Sequence, residues 1–134
     1  MGWSKHHPNG LIHHDPAQAF EGYTLFAMLG GQDAYLVDME GRVCHRWHLD
    51  EGISYGFLLD NGNLLRGARY PDPEVFRGGG QGGRLQEFTW DGKLVWDFPF
   101  ATEDYLLPHD IAVLPNGNVL AIAWEAKSGT CSPT

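Results

Sequence analysis

The sequence has few cysteines, few basic residues and no long apolar run. Two cysteines, Cys44 and Cys131, occur in 134 residues. One falls in an expected strand and the other in a polar tail, which makes neither a disulfide framework nor a zinc signature. Cys44 reads as a small buried hydrophobe and Cys131 as a tail thiol. Lysine and arginine number 9 against 17 acidic residues, giving a formal net charge of −8. That balance argues against nucleic acid and against an anionic membrane surface, because both need clustered cations. A small anion held in a local arginine pocket stays open. No apolar run approaches the length of a membrane span. The first residues, MGWSKHHPNGLIHHDP, lack the apolar core of a signal peptide. The chain as written is expected in the cytoplasm, and in the periplasm or outside the cell if a leader precedes it.

What is present is glycine, proline and short apolar segments. There are 18 glycines and 8 prolines, with 43% hydrophobic and 19% charged residues. This is globular composition with room for one ordinary domain. The glycines punctuate apolar runs, which predicts an all-β protein with many turns. Residues 1–22 read as an irregular arm, with room for one helical turn at PAQAFEG. Residues 126–134 read as a polar C-terminal tail.

Between them, residues 23–125 repeat. YLVDMEGRVCHRW matches LQEFTWDGKLVW, and Gly41 to Gly92 is an offset of 51 residues. FLLDNGNLL matches AVLPNGNVL, and Gly62 to Gly117 is an offset of 55 residues. Asn-Gly and Asp-Gly supply the positive φ of hairpin turns. A unit of about 50 residues with four short strands has the form of a β-propeller blade. The chain holds about two such four-stranded antiparallel blades, whereas propellers typically need four to eight. Two blades leave faces and edges bare. The expectation is therefore a fragment, a truncated product, or a protomer that closes a ring by self-association. Three copies would supply about six blades.

His109 and Asp110 open the second NGN hairpin, where the chain would enter an inner strand at a channel mouth. The plainer alternative is a histidine bonded to a loop carbonyl and an aspartate forming a turn. Arg66 and Arg69 follow the first NGN hairpin, and Arg77 and Arg84 flank GGGQGG. Each is either an anion contact or a solvated loop charge. GGGQGG lacks the strand, helix and Lys-Ser/Thr context of a phosphate loop. His45 and His48, three apart, fall on opposite faces of a strand and make a poor metal pair. His6, His7, His13, His14 and Asp15 have no spacing that fixes a metal geometry, so no metal site is expected. Trp47, Trp90, Trp96 and Trp124 are expected to pack between blades.

YLVDMEGRVCHRWHLD, GFLLDNGNLL, GGRLQEFTWDGKLVWDFPF and HDIAVLPNGNVLAIAWE resemble the arylsulfotransferase (aryl-sulfate sulfotransferase) family. The resemblance spans about residues 22–125, and HDI-x-x-LPNGN is its most specific part. It implies a six-bladed propeller that moves a sulfuryl group from a phenolic sulfate ester to a phenol, without a nucleotide donor or other cofactor. It further implies a sulfated histidine intermediate in a channel lined by His and Arg. Imidazole is a usable nucleophile near neutral pH, and sulfate needs fixed cationic donors. On this resemblance His109 is a pocket histidine with Asp110 beside it. Arg66, Arg69 and Arg84 are candidate anion contacts, and Trp124 is a candidate stacking partner for the phenol. The family's nucleophilic histidine lies in a later blade, which this chain lacks. The alternative is a non-catalytic propeller module that binds a protein or glycan.

Overall fold

The structure, a computed structural model, describes residues 10–70, 82–108 and 110–127. Every regular element among them is a strand. In chain order these are β1 (Thr24–Ala27), β2 (Asp33–Val37), β3 (Val43–His48), β4 (Ile53–Leu58), β5 (Leu64–Arg69) and β6 (Gly83–Phe88). They continue with β7 (Leu94–Pro99), β8 (Tyr105–Leu106), β9 (Ile111–Val113), β10 (Val119–Ala121) and β11 (Trp124–Glu125). PAQAFEG makes a single turn in which the Gln18 and Ala19 amides donate to the Asp15 carbonyl. No helix among the described residues is long and apolar enough to cross a membrane.

The strands pair antiparallel into four sheets, in the orders β1-β2-β3, β4-β5-β6-β7, β10-β9 and β11-β8. The expected pair of four-stranded units thus becomes one four-stranded sheet flanked by smaller ones. β8 was expected to be loop, and VLAIAWE was expected to be one strand. That run instead splits, because β9 is only three residues long and can pair only Val119–Ala121. The backbone beyond still needs partners. Trp124 and Glu125 find them opposite Leu106 and Tyr105, and the Ala126 amide donates to Asp104.

Four loops share one design. In residues 38–42, 59–63, 89–93 and 114–118 the first amide donates to the fifth carbonyl, and the fourth amide, always a glycine, donates back to the first carbonyl. Those glycines, Gly41, Gly62, Gly92 and Gly117, have φ between 76° and 83°, and no non-glycine residue among those described has positive φ. A two-residue type I′ turn needs positive φ at both central positions, so the loops are type I turns closed by a glycine bulge. A side chain braces each loop: Asp38 holds the Glu40 and Arg42 amides, Asn61 that of Asn63, Thr89 that of Lys93, and Asn116 that of Asn118.

The repeat extends to individual pairs. Leu36↔His45, Tyr35↔Arg46 and Ala34↔Trp47 in β2–β3 correspond to Glu87↔Trp96, Gln86↔Asp97 and Leu85↔Phe98 in β6–β7. Each is displaced by the 51 residues read from the sequence, and both hairpins break register at the same place. Leu58↔Leu64 and Phe57↔Leu65 correspond, at the offset of 55, to Val113↔Val119 and Ala112↔Leu120.

The four-stranded sheet is the middle layer. Its front face presents Ile53, Leu64 and Phe88 to Ala34, Leu36 and Trp47 of the β1–β3 sheet. Its back face presents Leu65 and Leu85 to Leu107 and Ile111. Burial on both faces explains why every residue of Leu64–Ala68 is buried, with no alternation of apolar and polar positions. Trp47 packs between sheets as expected: it is 1% exposed, and its indole N–H donates to the Thr89 carbonyl at 3.1 Å. Trp90, Trp96 and Trp124 are instead more than a third exposed. Cys44 is exposed as well, contrary to expectation. Alternation along β3 sends His45 and Trp47 inward and leaves Cys44, Arg46 and His48 on the outer side.

Candidate functional site

The glycine loops gather at one end of the central sheet. The other end, where β4, β6 and β9 begin, collects the charged residues. Arg66, a candidate anion contact or solvated charge on sequence grounds, lies inside β5 and is 2% exposed. Its Nε and Nη2 donate to Gln86 Oε1 at 3.0 and 2.6 Å, and its Nη1 donates to the Glu51 carbonyl at 2.6 Å. The guanidinium sits 5.1 Å from the centre of the Phe88 ring. Its nearest carboxylate oxygen, Glu51 Oε2, is 4.0 Å away and buried without a hydrogen bond. Burial pushes the Arg66 pKa down, and the Glu51 carboxylate opposes that shift. Desolvating a cation with only neutral acceptors in hydrogen-bond range is costly. The aromatic face and the nearby carboxylate offset part of that cost.

Arg84, the second such candidate, lies in β6. It clamps Asp97 with two bonds of 2.8 and 2.6 Å and reaches Glu51 Oε1 at 2.7 Å. The bond to Asp97 raises the Arg84 pKa and lowers that of Asp97. Arg66 and Arg84 therefore tie β4, β5, β6 and β7 together at this end. Arg69 differs. It is exposed at the end of β5 and has no carboxylate partner among the described residues.

Behind the sheet, Tyr55 fills the space over Gly67. A Cβ on Gly67 would lie 2.2 Å from the Tyr55 ring, so only glycine fits there. The Tyr55 hydroxyl is buried with no hydrogen-bond partner among the described residues. Burial first, and the charge of Asp110 second, push its pKa up to about 12. Asp110 itself is exposed and immediately precedes β9. By the 55-residue offset it stands where Tyr55 stands one hairpin earlier. His109 and Arg77 lie outside the described residues. Trp124 is half exposed on β11, on a strand of its own pairing with β8.

The structure thus brings Arg66, Arg69, Arg84 and Asp110 to one end of the strands, and Trp124 lies on β11 opposite Leu106. Glu51, Gln86 and Asp97 belong to the arginine cluster, with Tyr55 on the opposite face of the sheet, and none of the four was foreseen. The offset of 51 could have pointed to Asp97. It carries Asp33 and Arg46 onto Arg84 and Asp97, two ion pairs in the same place with their signs exchanged. Arg46 Nη2 lies 2.9 Å from Asp33 Oδ1, and Arg84 Nη2 lies 2.6 Å from Asp97 Oδ2. Among the described residues no group of three or more His, Cys, Asp or Glu is placed to hold a metal ion. The chain matches no family model, no curated protein and no solved structure.

Proposed function

We propose that the chain is a set of β-propeller blades of the aryl-sulfate sulfotransferase type, which transfers a sulfuryl group from a phenolic sulfate ester to a phenol. The propeller half of this reading is supported by sheets that repeat register and bulge at offsets of 51 and 55 residues. The transfer half is supported by the resemblance centred on HDIAVLPNGN. The single observation that carries it is the position of Asp110, and with it the start of β9, at the end of the strands where the arginines gather.

In this reading His109 serves the pocket, either holding the sulfuryl oxygens or protonating the phenolate oxygen as the S–O bond breaks. Arg69, without a carboxylate partner among the described residues, is the cation best able to meet the ester's negative charge. Arg66 and Arg84 act one layer behind, fixing the strand ends. The test is release of nitrophenolate from p-nitrophenyl sulfate with a phenol acceptor. Loss of release in His109→Ala, with Arg69→Ala raising KM, would support the reading. No release from a chain shown to form a closed assembly would overturn it.

A second reading, a non-catalytic propeller module for a protein or glycan, is favoured by one observation. Arg66 and Arg84, two of the three candidate anion contacts, already have their donors engaged by Gln86, Glu51 and Asp97.

A further inference from the structure

Asp33, Tyr35, Arg46 and His48 meet on the outer side of the β1–β3 sheet. Asp33 opens β2 directly opposite His48 at the end of β3, and Tyr35 stands opposite Arg46. The Asp33 carboxylate gathers the other three. Its Oδ1 lies 2.9 Å from Arg46 Nε and 2.8 Å from His48 Nδ1, and its Oδ2 accepts from the Tyr35 hydroxyl at 3.2 Å. The bonds from Arg46 first, and His48 second, hold the Asp33 pKa down to about 2. The carboxylate is therefore ionised at neutral pH and can only accept. That fixes the imidazole tautomer: neutral His48 carries its proton on Nδ1 and keeps a lone pair on Nε2. The His48 side chain is 62% exposed, and its Nε2 has no hydrogen-bond partner among the described residues.

The histidine is an addition to the ion pair that the repeat carries. At the offset of 51, Asp33↔His48 corresponds to Arg84↔Pro99. The central sheet thus keeps the pair of charges with no histidine beside it. Pro99 also stays exposed, although the β1–β3 sheet covers that face of the central sheet. Access to His48 therefore does not depend on what lies over the first sheet. Elsewhere, His45 has its Nε2 engaged by the Trp90 carbonyl at 2.9 Å, and the His14 Nε2 is buried.

We infer that His48, aligned by Asp33, is a nucleophilic site that turns over activated acyl esters. An imidazole with a carboxylate on Nδ1 and a free Nε2 is set to add to a carbonyl carbon. Nε2 bonds to that carbon, and the C–O bond to the leaving group breaks, the leaving oxygen taking the electron pair. The acyl-imidazolium keeps its Nδ1 proton against Asp33. The hydroxyl of a water then joins the acyl carbon, its proton passes to solvent, and the N–C electron pair returns to Nε2. The leaving group departs unprotonated, so the substrate class is an ester of an acidic alcohol such as a phenol. Asp33 is a positioning residue. The reaction and its residues are separate from sulfuryl transfer, so loss of either activity leaves the test of the other intact.

The test is release of nitrophenolate from p-nitrophenyl acetate by the full chain. His48→Gln should cut the rate about tenfold or more, and His13→Gln should leave it unchanged. Asp33→Asn should lower kcat and leave KM in place, because an amide can offer Nδ1 either a donor or an acceptor and no longer fixes the tautomer. The double variant should be no slower than His48→Gln, and far-UV circular dichroism confirms that each variant is folded. Acid quenching of the unmodified chain during turnover, followed by peptide mass mapping, should find the acetyl group on His48. An unchanged rate in His48→Gln, an unchanged kcat in Asp33→Asn, or an acetyl group on another residue instead would each overturn the inference.

Discussion

The two faces of the central sheet invite comparison. Both are apolar at corresponding registers, yet they are closed to different degrees. The front is sealed by a three-stranded sheet and by Trp47, whose indole bonds to the Thr89 loop and packs edge-on to Trp90. Among the described residues, the back is covered by only the short β9–β10 hairpin with Leu106 and Leu107. Beside that hairpin runs an apolar groove of about 470 Å³, lined by Leu85, Trp96, Phe98, Phe100, Leu120 and Ile122 among others. The same strand chemistry thus gives a core on one side and a vacant seat on the other. What differs is the neighbour, not the sheet.

The largest expected effect separates the two sides directly. Trp47→Ala should lose about 3–5 kcal/mol of stability through the cavity it leaves. Trp96→Ala, in the open groove, should lose much less, so equal losses in urea titrations would erase the contrast. Next in size is Gln86→Leu on the sealed face. It leaves the buried Arg66 guanidinium without its main acceptor and should cost about 2–3 kcal/mol; the same titration checks it.

Tyr55 tests the back face. Burial raises its pKa from the ordinary phenol value of 10.0 to about 12. Its contribution is therefore fully present below about pH 10 and is lost as the pH rises toward 12. Tyr55→Phe should flatten that alkaline loss in pH-dependent melts, and an unchanged slope would contradict the burial of the hydroxyl. The smallest effect belongs to the exchanged ion pair. D33R alone sets like charges beside Arg46 and should lower the melting temperature by a few °C at most, about what an exposed pair can give. D33R with R46D should recover it, since the 84/97 position already works with those signs.

Much of the fold was legible because its loops are local. Four glycine loops with fixed spacing announce hairpins wherever they fall, and the offsets of 51 and 55 hold down to paired residues. The sizes of the sheets were not legible. Whether Leu64 finds a partner in Phe88, or Val119 finds none beyond Val113, depends on strands far away in sequence. The candidate site was half legible. Arg66 and Arg84 are legible as cations but not as cations whose donors are already engaged, because their partners Glu51, Gln86 and Asp97 are brought to them by strand pairing. Trp124 reads as part of a continuous strand until the short β9 forces the chain away. Cys44 reads as buried until the register shows which side of β3 it takes.

The exchanged pair also bears on how such a chain changes over generations. Asp33 and Arg84 are opposites by any residue-by-residue score, as are Arg46 and Asp97. Matched in that way, the two hairpins would look least related at the position where they are physically most alike. Because the Asp33–Arg46 pair lies within reach of water, the intermediate with two like charges is only mildly unfavourable. The signs can then trade places one substitution at a time without unfolding the domain. What the two hairpins share at this position is the sum of the two charges, and their likeness is better sought in pairs than in letters.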